Sequence, residues 1–308
     1  MALIQLTSSS FGKPTWKNLL RTNPAAVVSV GFFLLYSLSE TAATKLSFLF
    51  LAGGFIFPGM THGSLDFQIM NRFMGKRWSK AATLSLYLFL VAALLVAWWL
   101  APTAVFLLFL FNSAYHFGET DLRSLSAAKI IMKPIYGGLL LSFLFISHYR
   151  ETTDYMQSFG LTLPAADEGI LLASSGVLLA LLASVLAFNG RKSTVWDTVL
   201  ALGIGMTLPL VLAFGIYYIL VHSRTAWKDL GTELQLEDPV MLRKAAPFTI
   251  AGCLFMAGTY WLMGNNVALP DQPVVLIVAG LAAITLPHTI AMALLYRSAG
   301  SRPTEVND

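Results

Sequence analysis

The sequence predicts an all-α fold: a polytopic membrane bundle of about ten spans, with one span short or broken and both termini cytoplasmic. Three observations carry this. Only 36 of 308 residues are formally charged, 20 Lys+Arg and 16 Asp+Glu, which is about half the density usual in soluble domains. Hydrophobic residues make up 56% of the chain and the mean hydropathy is +0.68, more apolar surface than a water-soluble globule of 33.6 kDa hides. The apolar runs approach the ~20 residues that a membrane-crossing helix needs and show no period-two alternation, so helices are favoured over barrel strands. A soluble enzyme, a disordered chain and a nucleic-acid binder all fit poorly. The pI of about 9.1 reflects a net +4 in a charge-poor chain, and reads as topology signal instead of a phosphate-binding patch.

The first 24 residues carry Lys13, Lys17 and Arg21. They lack the short apolar core and small-residue cleavage site of a secretory signal, so 1–24 is read as a cytoplasmic tail. Apolar runs then fall at 25–40, 46–68, 81–100, 102–118, 132–149, 168–188, 195–207, 208–224, 245–264 and 273–296. Together they form one transmembrane domain, 25–296, followed by a cytoplasmic tail at 297–308. The stretch 195–224 is long for one span and short for two, and Pro209 interrupts it. Charge decides. With two spans there, eighteen of the twenty Lys and Arg fall inside, and only Lys45 and Arg150 outside. With one span the split drops to twelve against eight. The positive-inside rule therefore selects ten spans. The segments 150–168 and 225–244 are the only loops of any size. The single cysteine, Cys253, lies in an apolar run and permits no internal disulfide.

This topology sorts the five histidines. His62, His116, His222 and His288 fall on the second, fourth, eighth and tenth spans, all running outward to inward. Each lies in the later half of its helix, so at about 1.5 Å per residue they share one depth near the cytoplasmic side. His148 ends the fifth span at the opposite face and is excluded. A lone buried histidine most often bonds a nearby carbonyl. Four neutral imidazoles at one membrane depth favour a borderline transition metal such as Fe(II), because ionisable groups in a membrane are costly and usually functional.

Carboxylates accompany them. Asp66 follows His62 by four residues, on the same helix face, and Glu119 and Asp121 follow His116. Such groups accept an imidazole N–H and fix the ligating tautomer, although Glu119 and Asp121 equally end a helix at the interface, as Asp197 in the seventh span starts one. Tyr115, Phe117, Tyr217 and Tyr218 flank the histidines and offer walls for a long flat hydrocarbon. Trp98, Trp99 and Trp227 read as an interfacial belt. Gly59 and Gly63 make a small-xxx-small pair for close helix packing. Histidine-box desaturases use more histidines than the five present. A retinal-binding rhodopsin needs a mid-membrane lysine, and no P-loop, nucleophile elbow or zincin motif appears.

HGSLD at His62, AYHFGETD at His116, LPLVLAFGIYYILVHSR through His222 and LPH at His288 resemble, in order over about 55–296, the Brp/Blh family of bacterial and archaeal membrane β-carotene 15,15′-dioxygenases. The resemblance implies a multi-pass protein of a prokaryotic inner membrane and an all-helical iron enzyme. Such an enzyme splits the central double bond of β-carotene with molecular oxygen, giving two retinal molecules. Its partners would be a carotenoid, O2 and membrane lipid, with no nucleic acid. The family pattern has a second histidine four residues after the one matched by His222. Here that position is Ala226. His62, His116 and His222 match family ligand positions, and His288, in the PH motif, completes the expected set of four, the alternative being a site of three histidines with altered activity or none. Two other readings are a zinc-dependent intramembrane lipid hydrolase using three histidines with Asp66, and a non-catalytic carotenoid- or retinal-binding protein.

Overall fold

The computed structural model describes residues 23–74, 78–123, 131–188, 192–264 and 272–300. Every regular element there is a helix: α1 (Pro24–Leu38), α2 (Glu40–Met74), α3 (Lys80–Leu100), α4 (Pro102–Asp121), α5 (Met132–Ser147), α6 (Tyr149–Ser158), α7 (Glu168–Phe188), α8 (Lys192–Gly205), α9 (Leu210–Leu234), α10 (Asp238–Gly264) and α11 (Gln272–Gly300). All but α6 correspond in order to the ten expected spans. Of the expected tails at 1–24 and 297–308, residues 1–22 and 301–308 lie outside the described residues, while α1 already begins at Pro24 and α11 continues to Gly300.

Six stretches are long and apolar enough to cross a membrane: Glu40–Met74, Lys80–Leu100, Glu168–Ala187, Leu210–Leu234, Asp238–Gly258 and Val278–Tyr296. Shorter apolar helices cover Pro24–Leu38, Met132–Ser147 and Trp196–Gly205. The bundle has its apolar surface on the outside as well as within. Trp99 is 78% exposed, Phe48 71% and Phe111 70%, a distribution suited to a hydrocarbon solvent. The apolar stretches of α9 and α11 are 61% and 56% buried, against 6% for α3 and 17% for α10. The former two are therefore central and the latter two peripheral.

Three expectations are corrected. The segment 150–168 contains α6, started by Tyr149 directly after His148. The segment 225–244 is mostly helical, because α9 continues to Leu234 and α10 begins at Asp238. A left-handed residue, Gln235 at φ 56°, turns the chain between them. The seventh span is short, as expected, a 14-residue helix without a break, and the chain breaks just after it, where Pro209 precedes α9 with extended backbone. The amide of Leu210, at the start of α9, donates to Glu151 Oε2 at 2.9 Å. Asp197 accepts the Ala26 N–H at 2.9 Å, so it caps α1 and not its own helix.

Two features set the register of the helices that carry histidines. The first is backbone contact between α4 and α5. A Cβ built on Gly118 would lie 1.8 Å from the Lys133 carbonyl oxygen, and one on Gly137 1.8 Å from that of Ala114. The two helices therefore touch main chain to main chain, as small residues allow between apolar helices. The second is a pair of π-helical turns, Phe55–Met60 in α2 and Tyr218–Ser223 in α9, which lie against one another. Pro58, without an N–H, sits inside the first.

Candidate metal centre

The four histidines meet. Ring centroids are 5.1 Å apart for His62–His288, 5.7 Å for His62–His222, 4.9 Å for His116–His222 and 4.7 Å for His116–His288. None is more than 6% exposed. Ligand nitrogens of His62, His116 and His288 all lie within 4.8 Å of one another, and His222 Nε2 is 3.2 Å from His116 Nε2.

Local backbone and neighbours aim these rings. His62 Nδ1 donates to the Pro58 carbonyl at 3.0 Å. That carbonyl belongs to the wide turn, where main-chain bonding departs from the α pattern. His288 Nδ1 donates to Asp66 Oδ1 at 2.7 Å, and Asp66 Oδ2 accepts the Tyr87 hydroxyl at 3.0 Å. A carbonyl and a carboxylate only accept, so both rings carry their proton on Nδ1 and keep Nε2 for another role. Among the described residues His288 Nε2 is buried and without a hydrogen-bond partner. Beside His222, Asp121 Oδ1 stands 3.6 Å from Nδ1, while Asp121 Oδ2 accepts the hydroxyls of Tyr136 (3.0 Å) and Tyr217.

The carboxylates are thus distributed differently from the expectation by helix face. Asp66 serves His288 on another helix, since His62 is already held by Pro58. Asp121 stands beside His222. Glu119 accepts from Tyr115 at 3.1 Å and lies 3.8 Å from Lys133 Nζ, away from the imidazoles. His148 is held apart: its ring nitrogens face the carbonyls of Leu144, Gly205 and Leu208 at 2.9–3.1 Å, which ties the turn before α9 to α5. Ala226 is fully buried on α9.

The cluster faces a cavity of about 460 Å³ walled by α2, α3, α4, α9, α10 and α11. Phe117 and Tyr218 line it. Tyr115 and Tyr217 do not, being turned to Glu119 and Asp121. Phe214, Tyr218 and His222, spaced by four on α9, form a ladder of near-parallel rings at 5.7 and 5.8 Å. Phe55, Phe214 and Tyr87 were not singled out from sequence. For Tyr87 the signal was present, as the one hydroxyphenyl ring inside the apolar run 81–100.

Fold and site together define a class: an apolar helix bundle built around a buried four-imidazole cluster that opens onto an apolar cavity. Within that class the chain belongs to the β-carotene 15,15′-dioxygenase family, whose model matches residues 54–296. It is 25% identical over 260 residues to a β-carotene 15,15′-dioxygenase of the uncultured marine bacterium 66A03, covering 80% of this chain and 93% of that protein. It is also 25% identical over 287 residues to a probable β-carotene 15,15′-dioxygenase Blh of Halobacterium salinarum, covering 79% and 82%. No solved structure matches the chain.

Proposed function

We propose that the protein is an integral-membrane iron dioxygenase that cleaves the central double bond of β-carotene to two molecules of retinal in a prokaryotic cell membrane. The observation that carries this is the meeting of four buried imidazoles at the wall of an apolar cavity, in a chain of this family. His62, His116, His222 and His288 would hold the ion.

The donor set fits ferrous iron. Neutral imidazoles suit borderline divalent metals. The orphaned Nε2 of His288 and the facing Nε2 atoms of His116 and His222 are arrangements that a shared cation satisfies. A ferrous ion bound there supplies the activation of O2, which no side chain provides. One O2 adds across one C=C bond and each carbon leaves as an aldehyde, so the net reaction needs no external reductant and no proton. The chain's own tasks are therefore positional. Phe214, Tyr218 and Phe117 offer ring faces and an edge to a flat polyene. Pro58 and Asp66 fix two imidazole tautomers, and the apolar walls exclude water from the reacting carbons.

The test is expression in a β-carotene-producing host, with metal analysis of the purified protein. Loss of orange colour, appearance of retinal and bound iron are expected. Iron-free protein that forms no retinal from β-carotene with Fe(II) and O2 would sink the reading. Bound zinc with oxygen-independent hydrolysis of lipid amides or esters would replace it.

A further inference from the structure

The cavity does not end inside the bundle. Four of its lining residues are also exposed on the outer surface: Leu88 and Ala92 on α3, and Ala251 and Phe255 on α10. Leu88 is 55% and Phe255 44% exposed. On each helix the two residues are four apart, on one face. The helices that carry them are the peripheral ones. Among the described residues α3 packs on α2, α4 and α11, and α10 on α2 and α11, but no close packing joins α3 to α10. Between them the next layer is Leu281 and Ile284 of α11, which also line the cavity.

We infer that the gap between α3 and α10 is a lateral slit through which a carotenoid passes between the surrounding lipid and the histidine cluster. The inference rests on the function proposed above and adds the route. The slit's four rim residues are apolar, so a water-soluble ligand gains nothing there. The outer faces beside it, with Phe89 at 67% and Leu254 at 68% exposure, are suited to acyl chains. The slit is continuous with the catalytic cavity. Tyr87, bonded to Asp66 at the histidine level, is followed on α3 by Leu88, Ala92 and Leu95, all cavity residues. At the helical rise of ~1.5 Å per residue, this apolar edge extends about 12 Å from Tyr87 to Leu95. Ala92 and Ala251 keep the rim low on both sides, leaving a channel that the flat polyene chain of a carotenoid can thread edgewise. An aldehyde product keeps half of that apolar body and leaves by the same path.

The test places tryptophan on the rim. Full-length protein in lipid vesicles is mixed under nitrogen with donor vesicles carrying β-carotene. Pigment bound to the protein is then followed by absorbance, without turnover. Ala92→Trp and Ala251→Trp, one on each wall, should each slow loading by about 5–150-fold, the factor that a typical overpacking cost gives when it falls on a barrier. Phe89→Trp and Leu254→Trp, on the outer faces of the same helices but off the slit, should load as wild type. Iron content should be equal in all. Either rim variant carries the test if the other fails to fold. Rim variants that load at the wild-type rate, or outer-face variants slowed as much as they are, would overturn the inference. A wild-type protein that binds neither iron nor β-carotene would instead overturn the underlying function.

Discussion

Asp66→Ala is the perturbation that separates a working metal centre from a set of packed histidines. Asp66 is 2% exposed and holds two donors at once, the His288 Nδ1–H at 2.7 Å and the Tyr87 hydroxyl at 3.0 Å. Alanine leaves both buried donors without an acceptor, at about 1–3 kcal/mol each, so the folded state should lose about 2–6 kcal/mol. The imidazole, freed to turn or to exchange tautomers, should bind metal about 10–100-fold more weakly, which corresponds to about 1.4–2.7 kcal/mol. Tyr87→Phe removes only one hydroxyl and leaves the Asp66–His288 bond, so a stability loss of about 0.5–1.5 kcal/mol is expected. The assay is competitive titration of iron or cobalt against a chelating dye in detergent, alongside denaturant unfolding. Asp66→Ala binding metal as tightly as wild type, in a preparation where His62→Ala binds none, would refute the reasoning.

His288→Ala should abolish metal binding as fully as His116→Ala, whereas His148→Ala should keep its metal and lose stability alone, because its ring nitrogens face backbone carbonyls and the Ser147 hydroxyl, away from the cluster; metal analysis with a melting curve reads both. Gly118→Ala and Gly137→Ala each place a Cβ 1.8 Å from a carbonyl oxygen, where ordinary contact begins near 3.4 Å. Each should lower folded yield and metal content by forcing α4 and α5 apart, while Gly138→Ala, with nothing within 4 Å, should be tolerated. Ala226→His places, at a fully buried site, the histidine that the family resemblance implies there; it should cost about 1–3 kcal/mol by overpacking and add no iron, because His288 already stands in the cluster.

The order of the apolar helices was legible in the sequence, though the polar helix α6 was not, because long apolar runs and Lys/Arg placement are long-range signals that tolerate local error. The grouping of His62, His116, His222 and His288 followed from counting depth along four helices, a one-dimensional inference. Partnerships across helices were not legible. Helix-face counting suggested Asp66 for His62, yet the π-helical turn at Phe55–Met60 gives His62 the Pro58 carbonyl, and Asp66 reaches His288 on α11. The same kind of turn at Tyr218–Ser223 shifts the angular spacing along α9, so flanking position did not separate Tyr218, which lines the cavity, from Tyr217, which grips Asp121. Such turns leave no periodicity in the sequence, only Pro58 as a mark in one of the two.

The main-chain contact between α4 and α5 has an evolutionary consequence. His116, Glu119 and Asp121 ride on a helix indexed to its neighbour by Gly118 and Gly137, where almost any added atom is forbidden. Apart from Tyr87, which holds Asp66, and Gly252, which packs on Met60, the wall formed by α3 and α10 is under no such constraint. Side chains there can change size without moving an imidazole, so drift in substrate range is free to accumulate on α3 and α10 while α4 and α5 stay fixed. Directed evolution toward shorter or bulkier polyenes should find its accepted substitutions on that compliant side.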